Sequence, residues 1–230
     1  PIVKDIYGGV IDILMEPIQE GETEQTKIKK AMDFTRQFLQ DMVDEKFPTS
    51  KLIITKSLRE FYKNPQQIAH KTLADRMGKR DPGNKPGAGD RIPFVYIQTK
   101  GKVSLQGDKI EHINYVREAN CQVDYEVYIT NQIMKPVSQI FELVVEYIPG
   151  YKHGRNPEYF NNLEQYYYQK YDGDLKKTQK KISQLKINMI KDLIFQPLIQ
   201  EAINKFNKIN TLDNYFEFNK KEEKVINIDI

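Results

Sequence analysis

The chain has 230 residues, of which 39% are hydrophobic and 29% charged, and its formal net charge is +3. These values are typical of a globular chain with one or two compact units, and no apolar run approaches the ~18 residues that a membrane helix needs. The single cysteine, Cys121, excludes an internal disulfide and a thiolate zinc site, which favours a reducing, intracellular compartment. Residues 1–7 carry Lys4 and Asp5 and do not resemble a signal peptide. Because the chain begins with Pro1, we expect a fragment of a longer protein.

Apolar spacing in the first quarter of the chain predicts two helices and a strand. Steps of three and four residues predict helices over 2–15 and 23–44, although two adjacent glycines interrupt the first pattern. A β-branched run over 52–55 predicts a short strand. We expect this region to be core packing without catalytic chemistry.

The middle of the chain alternates between turn formers and apolar runs. We expect a helix over 65–77, because Asn64 can cap it and proline suits the first helical position. Glycine and proline predict a loop over 81–89, and apolar alternation predicts a strand over 91–99. A second strand and turn is expected over 101–108.

Helices are predicted again towards the end of the chain. One is expected over 124–146 with a restart at Pro136, and another over 174–205 with a break or kink at Pro197. Residues 149–171 mix turn formers with tyrosines and are predicted to be an insertion. The fold class expected from the whole pattern is α+β, mostly α-helical, with a small β element.

Charge is unevenly distributed along the chain. Residues 61–107 have a net charge of +6 and residues 151–210 a net charge of +5, whereas the segments before, between and after them are net acidic. Two basic blocks on a folded body indicate a surface that binds a polyanion. Lysines that contact only water remain the alternative, more so for the second block.

The first basic block combines a helix whose amino end can face a phosphate with a glycine-rich loop that a nucleic-acid backbone can approach closely. Its central cations are His70, Lys71 and Arg76 on the helix, followed by Lys79, Arg80 and Lys85.

The same block carries a family resemblance. Residues 74–97, ADRMGKRDPGNKPGAGDRIPFVYI, resemble the thumb signature of family-B DNA polymerases, especially polymerase delta and its relatives in large DNA viruses. Residues 51–65, KLIITKSLREFYKNP, are similar to the palm-to-thumb passage of that family, and residues 1–15 to a palm helix. Residues 124–141, DYEVYITNQIMKPVSQIF, resemble thumb helices. The matches follow the family's order.

The resemblance implies three regions. Residues 1–60 would be the end of the palm, residues 61–206 a helical thumb, and residues 207–230 a tail. Residues 149–175 would be a lineage-specific insertion in the thumb.

The resemblance also implies an activity, DNA-directed DNA synthesis by a nucleotidyltransferase of DNA replication, in which the thumb binds primer–template duplex. The catalytic aspartates of the family lie in palm motifs that would precede Pro1, and no Asp-Thr-Asp motif occurs here. We therefore expect no catalytic or metal-binding residue and no cofactor in this fragment, which should be inactive alone. Mg²⁺ is expected for the full-length polymerase. A nuclear or viral replication compartment is expected, and no membrane partner.

Contacts of a thumb with DNA should be independent of base sequence, to phosphates and minor-groove edges. Two candidate contacts have structural alternatives, because Arg91 could pair with Asp90 and His70 could be an interior histidine. The expected DNA-binding residues are Lys63, Asn64, His70, Lys71, Arg76, Lys79, Arg80, Lys85 and Arg91.

The tail carries a separate motif. Its sequence TLDNYF resembles the clamp-binding box at polymerase C-termini, with Leu212, Tyr215 and Phe216 at the spacing that fills a pocket on a sliding clamp. The family's glutamine position holds Ile209 instead. The alternative is that these aromatics pack the tail onto the thumb.

Two other interpretations of the whole chain remain open at this point. It could be a free-standing, non-catalytic DNA-binding or clamp-tethering protein derived from a polymerase thumb. It could also belong to a polymerase whose palm has lost its aspartates.

Overall fold

The computed structural model describes residues 2–99, 105–148 and 158–208. The helices are α1 (Ile2–Met15), α2 (Glu24–Val43), α3 (Ala69–Arg80), α4 (Ile113–Glu118), α5 (Tyr125–Val127), α6 (Met134–Glu142), α7 (Glu158–Lys170), α8 (Leu175–Ile190) and α9 (196–208). The strands are β1 (Ile54–Ser57), β2 (Arg91–Tyr96) and β3 (Ile110–His112), and they form an antiparallel sheet in that order. The expected α+β, mostly α-helical class is confirmed.

Contacts divide the chain into two compact units, neither of which is continuous in sequence. Unit 1 comprises Pro1–Glu16 and Asp44–Val137, and unit 2 comprises Pro17–Val43 and Ser138–Ile230. These units are defined by the density of contacts between residues, whereas the palm and the thumb are defined by their roles in a polymerase, so the two divisions need not coincide. The expected palm, thumb and tail boundaries therefore stay predictions.

In unit 1, α3 packs against the sheet. Ile54 of β1 lies opposite Phe94 of β2, and Phe94 lies opposite His112 of β3. The apolar faces of helix and sheet meet in one core, whose buried members are Leu58, Leu73, Ala74, Ile92, Phe94 and Ile110. This packing fixes the direction of α3, and with it the positions of the cations that α3 carries.

Local structure in unit 1 departs from the sequence prediction around the sheet. Strand β1 starts two residues later than predicted, because Thr49–Leu52 forms a 3₁₀ turn whose last carbonyl accepts a hydrogen bond from the buried Tyr128 hydroxyl at 2.7 Å. Of the second strand and turn predicted over 101–108, only 105–108 is described, and there Leu105 is extended. It leads into a 3₁₀ turn over Gln106–Lys109, and β3 follows that turn.

Helix α3 begins later than predicted. Pro65–Gln67 forms a separate 3₁₀ turn, and the Asn64 side chain makes no capping hydrogen bond. Ile68, in extended conformation, is the residue that precedes the helix, and its carbonyl accepts from the amides of Lys71 and Thr72 at 3.0 Å.

Both helical prolines are accommodated without a break. A π-helical segment, Tyr128–Ile133, joins α5 to α6 ahead of Pro136, and a second one, Lys191–Phe195, joins α8 to α9 ahead of Pro197. A proline removes one backbone donor and clashes with the carbonyl four residues earlier. A wider turn at that carbonyl relieves the clash. The helix is therefore continuous at Pro136, where a restart was predicted, and of the break or kink predicted at Pro197 the break does not occur.

In unit 2, the second half of α2 is hydrogen-bonded to the last helical segments. The Arg36 guanidinium donates to the Leu193 carbonyl at 2.9 Å, and the Gln40 amide donates to the Glu201 carboxylate at 2.6 Å. The Lys205 ammonium donates to the Val43 carbonyl at 2.6 Å. Apolar side chains of α2, such as those of Met32 and Leu39, are fully buried.

Candidate nucleic-acid interface

A buried carboxylate on β3 binds both arginines of α3. The side chain of Glu111 is only 3% exposed. Its Oε2 lies 2.9 Å from Nη2 of Arg80 and 3.2 Å from Nε of Arg76, and its Oε1 accepts from the His112 amide at 2.9 Å. A carboxylate this deep in a fold requires compensating charge, which the two guanidinium groups supply.

Each arginine has further contacts. Nη2 of Arg76 donates to the Ile110 carbonyl at 2.5 Å, and Nη1 donates to the Gly107 carbonyl at 3.2 Å. The Arg80 guanidinium lies over the Tyr115 ring, 3.6 Å from its centroid. Its hydrogen bond to Glu111 raises the pKa of Arg80. Arg76 and Arg80 thus tie α3 to the sheet, and their predicted DNA contacts would compete with these bonds.

The lysines beside them share a carboxylate on α3. Lys71 forms a 2.6 Å ion pair with Asp75 on the same helix, and Lys85 of the loop lies 3.7 Å from that carboxylate. The stem of Lys85 crosses Gly78 so closely that a Cβ at Gly78 would lie 2.5 Å from its Cγ. Because the Lys85 side chain is 57% exposed, its ammonium group can still reach an external phosphate.

His70 lies in a polar contact next to two exposed cations. Its Nε2 is 3.2 Å from the Tyr62 hydroxyl, which accepts a hydrogen bond from the Arg59 amide at 2.7 Å. Burial and the nearby charges of Lys56 and Arg59 lower the pKa of His70. At neutral pH this histidine is therefore uncharged, and positive charge at this point comes from its neighbours. We call Lys56, Arg59, Tyr62 and His70 the His70 cluster.

Several polar side chains on the same unit have no ion-pair or hydrogen-bond partner within the described ranges. Asp90 does not bind Arg91; its carboxylate accepts instead from the Gly87 amide at 2.7 Å. Arg91 lies across the sheet ladder from Ser57, next in sequence to Lys56. The predicted residues with such exposed and unpaired side chains are Lys63, Asn64, Lys79 and Arg91.

Sequence reasoning missed two candidates, Lys56 and Arg59. Both are exposed and have no carboxylate partner among residues that the structure describes. The sequence feature that could have identified them is the resemblance of residues 51–65 to the palm-to-thumb passage, because both residues lie in that segment. Both lie ahead of the basic block 61–107, in a segment with a net negative charge.

Some predicted features lie outside the described residues. These are the tail residues Leu212, Tyr215 and Phe216 and part of the predicted insertion. Within the described ranges, no group of three or more His, Cys, Asp and Glu side chains is placed to hold a metal ion. Over the same ranges, no helix combines the length and the apolar character needed to cross a membrane.

Comparison with known proteins gives consistent matches. The family model for DNA polymerase family B matches residues 1–144. The DNA polymerase of Pyramimonas orientalis virus is 41% identical over 206 residues, which is 89% of this chain and 16% of that protein. The DNA polymerase of Acanthamoeba polyphaga mimivirus is 46% identical over 151 residues, or 64% of this chain and 8% of the relative.

A cellular relative and a solved structure match as well. The DNA polymerase delta catalytic subunit of Candida albicans is 36% identical over 140 residues, covering 61% of this chain and 12% of the relative. The family B DNA polymerase from the archaeon Pyrobaculum calidifontis matches with a TM-score of 0.49 and 22% identity, over 60% of this chain and 17% of that one. The chain thus spans a sixth or less of these three relatives' length. Since the family model covers more than half of the chain, the chain belongs to DNA polymerase family B.

Proposed function

We propose that this chain is the C-terminal end of the palm and the thumb of a DNA-directed DNA polymerase, and that unit 1 grips primer–template duplex DNA. The observation that carries the proposal is a series of four exposed cations in the described part of unit 1, none of which has a carboxylate partner among the described residues. They follow one another along β1, the loop after it and the start of β2, and are Lys56, Arg59, Lys63 and Arg91. An unpaired surface cation loses no ion pair when it binds a phosphate.

The form of this surface fits contact with a duplex backbone. The glycine-rich loop is held to the end of β1 by two hydrogen bonds, from the Leu58 amide to the Asp90 carbonyl at 2.8 Å and from the Gly89 amide to the Leu58 carbonyl at 2.9 Å. Phe61, between Arg59 and Lys63, is 80% exposed, so it can contact the sugar edge of a groove. Contacts of cations with phosphates and of Phe61 with sugars do not distinguish one base sequence from another.

Under this proposal, nucleotidyl transfer is catalysed by residues of the longer polymerase that are not part of this chain. Nucleotidyl transfer would require two metal-binding aspartates in the palm and Mg²⁺, and this chain would supply duplex grip. On its own the chain would be inactive. We further propose that the polymerase acts in the nucleus or in a viral replication compartment.

The test is DNA binding by the 230-residue chain, measured by fluorescence anisotropy with short labelled duplexes over a range of salt concentrations. We expect similar affinities for unrelated sequences. The variant Lys56→Gln/Arg59→Gln should reduce the slope of log affinity against log salt by about 1.8, since each lost phosphate contact removes about 0.9. The control Lys4→Gln/Arg117→Gln removes the same charge from exposed positions of unit 1 and should leave the slope unchanged. Affinity that ignores salt, or that depends strongly on base sequence, would refute the proposal.

We also propose that the tail binds a sliding clamp through Leu212, Tyr215 and Phe216. The supporting observation is the spacing of one leucine and two adjacent aromatics. Replacing all three with alanine should abolish capture of the chain by an immobilised clamp while its circular dichroism spectrum stays the same. Undiminished capture would show that the motif has another role.

A further inference from the structure

Helices α7 and α8 form a hairpin in unit 2 that lies after residue 144, the last residue that the family model matches. The connection is well defined. Asp172 and Gly173 have left-handed backbone angles, with φ of 52° and 84°, and the Gly173 amide donates to the Tyr168 carbonyl at 2.9 Å. Asp174 then caps α8 by accepting from the Lys177 amide at 3.0 Å. The hairpin therefore presents its side chains from a defined framework.

Tyrosines and lysines interleave on this hairpin. The rings of Tyr166 and Tyr167 meet edge to face at 5.1 Å, and Tyr167 stacks on Tyr171 at 5.8 Å. The Lys170 ammonium lies 5.7 Å from the Tyr166 centroid and 5.8 Å from that of Tyr167. From α8, the Lys181 ammonium lies 5.7 Å from the Tyr167 centroid. The side chains of the hairpin itself thus cover ring faces of this cluster.

The end of the hairpin is strongly basic. Residues 166–186 contain six lysines and two acidic residues, Asp172 and Asp174. One lysine, Lys177, pairs with Asp174 at 3.3 Å. Lys176 and Lys180 are exposed, and neither has a carboxylate partner in the described parts of the chain. The ammonium groups of Lys176 and Lys180 are therefore available to bind a polyanion.

We infer that the α7–α8 hairpin is a second DNA-contact surface, which binds the phosphate backbone of the duplex independently of the surface in unit 1. The inference rests on the proposed function, since it assumes that the chain binds DNA. A surface that stacks on single-stranded bases requires free ring faces, whereas the central ring of this cluster, Tyr167, already contacts Tyr171, Lys170 and Lys181. What the hairpin offers instead is exposed ammonium groups and the partly exposed Tyr166 and Tyr168, whose hydroxyls can donate to phosphate oxygens.

The test compares two double variants of the 230-residue chain in the same anisotropy titration. Lys176→Gln/Lys180→Gln should reduce the salt slope on duplex DNA by about 1.8. The matched control Lys29→Gln/Lys208→Gln removes two exposed lysines from other helices of unit 2 and should leave the slope as in the wild type. Circular dichroism should show that both variants retain their helices.

The possible outcomes separate the two claims. Equal slopes for the hairpin variant and its control, with salt-dependent binding by the wild type, would overturn the hairpin surface and leave the unit 1 proposal standing. A wild-type chain that does not bind duplex DNA would overturn both. A loss in the hairpin variant that adds to the loss in Lys56→Gln/Arg59→Gln would support the hairpin surface, because each phosphate contact of the complex contributes its own about 0.9 to the slope.

Discussion

Replacing Arg76 with alanine tests whether the buried Glu111 carboxylate organises the cation-bearing helix. The substitution removes one of the two guanidinium groups beside Glu111. It also removes the donors to the carbonyls of Gly107 and Ile110, which lie in the turn before β3 and in β3. The link between α3 and the third strand would then rest on Arg80 and apolar packing.

The expected cost follows from these contacts. Each hydrogen bond to a carbonyl contributes about 1 kcal/mol. A carboxylate that is 3% exposed loses about a further 1 kcal/mol when one of two cations is removed, less than the about 3–5 kcal/mol for breaking a buried pair completely. We therefore expect Arg76→Ala to reduce the free energy of unfolding by about 3 kcal/mol. Arg80→Ala should cost less, because solvent screens its more exposed side chain.

The measurement is urea unfolding followed by circular dichroism, with hydrogen exchange of α3 and β3 amides as the local readout. Exchange is needed because two compact units need not unfold together. Arg91→Ala is the control, since Arg91 is exposed and has no partner among the described residues; it should change stability by less than about 0.5 kcal/mol. Equal small effects of Arg76→Ala and Arg91→Ala would refute the role assigned to the Glu111 contacts.

Three further predictions concern packing, buried hydrogen bonds and pH. Gly107→Ala should destabilise unit 1 by about 1–3 kcal/mol, because its new Cβ would lie 2.7 Å from the Thr72 Cβ; an unchanged thermal midpoint would contradict this. Tyr128→Phe should cost about 1–3 kcal/mol in urea unfolding, since it leaves the buried Leu52 carbonyl without the hydroxyl 2.7 Å away; a cost below about 0.5 kcal/mol would show that this hydroxyl is dispensable. Burial and nearby cations hold the pKa of His70 below its ordinary 6.5, so its contribution to stability is present above pH 6.5 and is lost as pH falls towards the lowered pKa. His70→Gln should flatten that loss, and identical pH profiles of the urea midpoint would count against it.

Long elements were predictable from the sequence because their patterns are local. The apolar stripes of α1 and α2 repeat over several turns, and the alternation that predicted β2 covers its full length. Strand β3 has three residues, too few for an alternating pattern to develop. Its existence depends on pairing with β2, which the sequence of β3 does not contain.

The sequence predicted that the candidate site is rich in basic residues, but it did not predict which of them form ion pairs. The sequence shows a basic block, and members of it such as Lys63 and Arg91 are exposed in the structure. It does not show that Arg76 and Arg80 are engaged by Glu111, because that carboxylate lies 31 residues after Arg80 and becomes buried only when β3 joins the sheet. The available hint was a glutamate directly after Ile110 and close to Ile113 in sequence, since an unpaired charge is rarely buried among apolar residues.

The binding of α2 by the last helices limits how this chain can be rearranged. Helix α2 lies in the part that the family model matches, yet Arg36 and Gln40 bind residues beyond position 190. An extension that makes no contacts with the preceding domain can be deleted or exchanged at one junction. Here a truncation after residue 144 would remove the hydrogen-bond partners of Arg36, Gln40 and the Val43 carbonyl in α2. A chimera with a relative that has a different C-terminal region would have to transfer residues 17–43 together with the residues after 137, so these two stretches should be inherited as one piece.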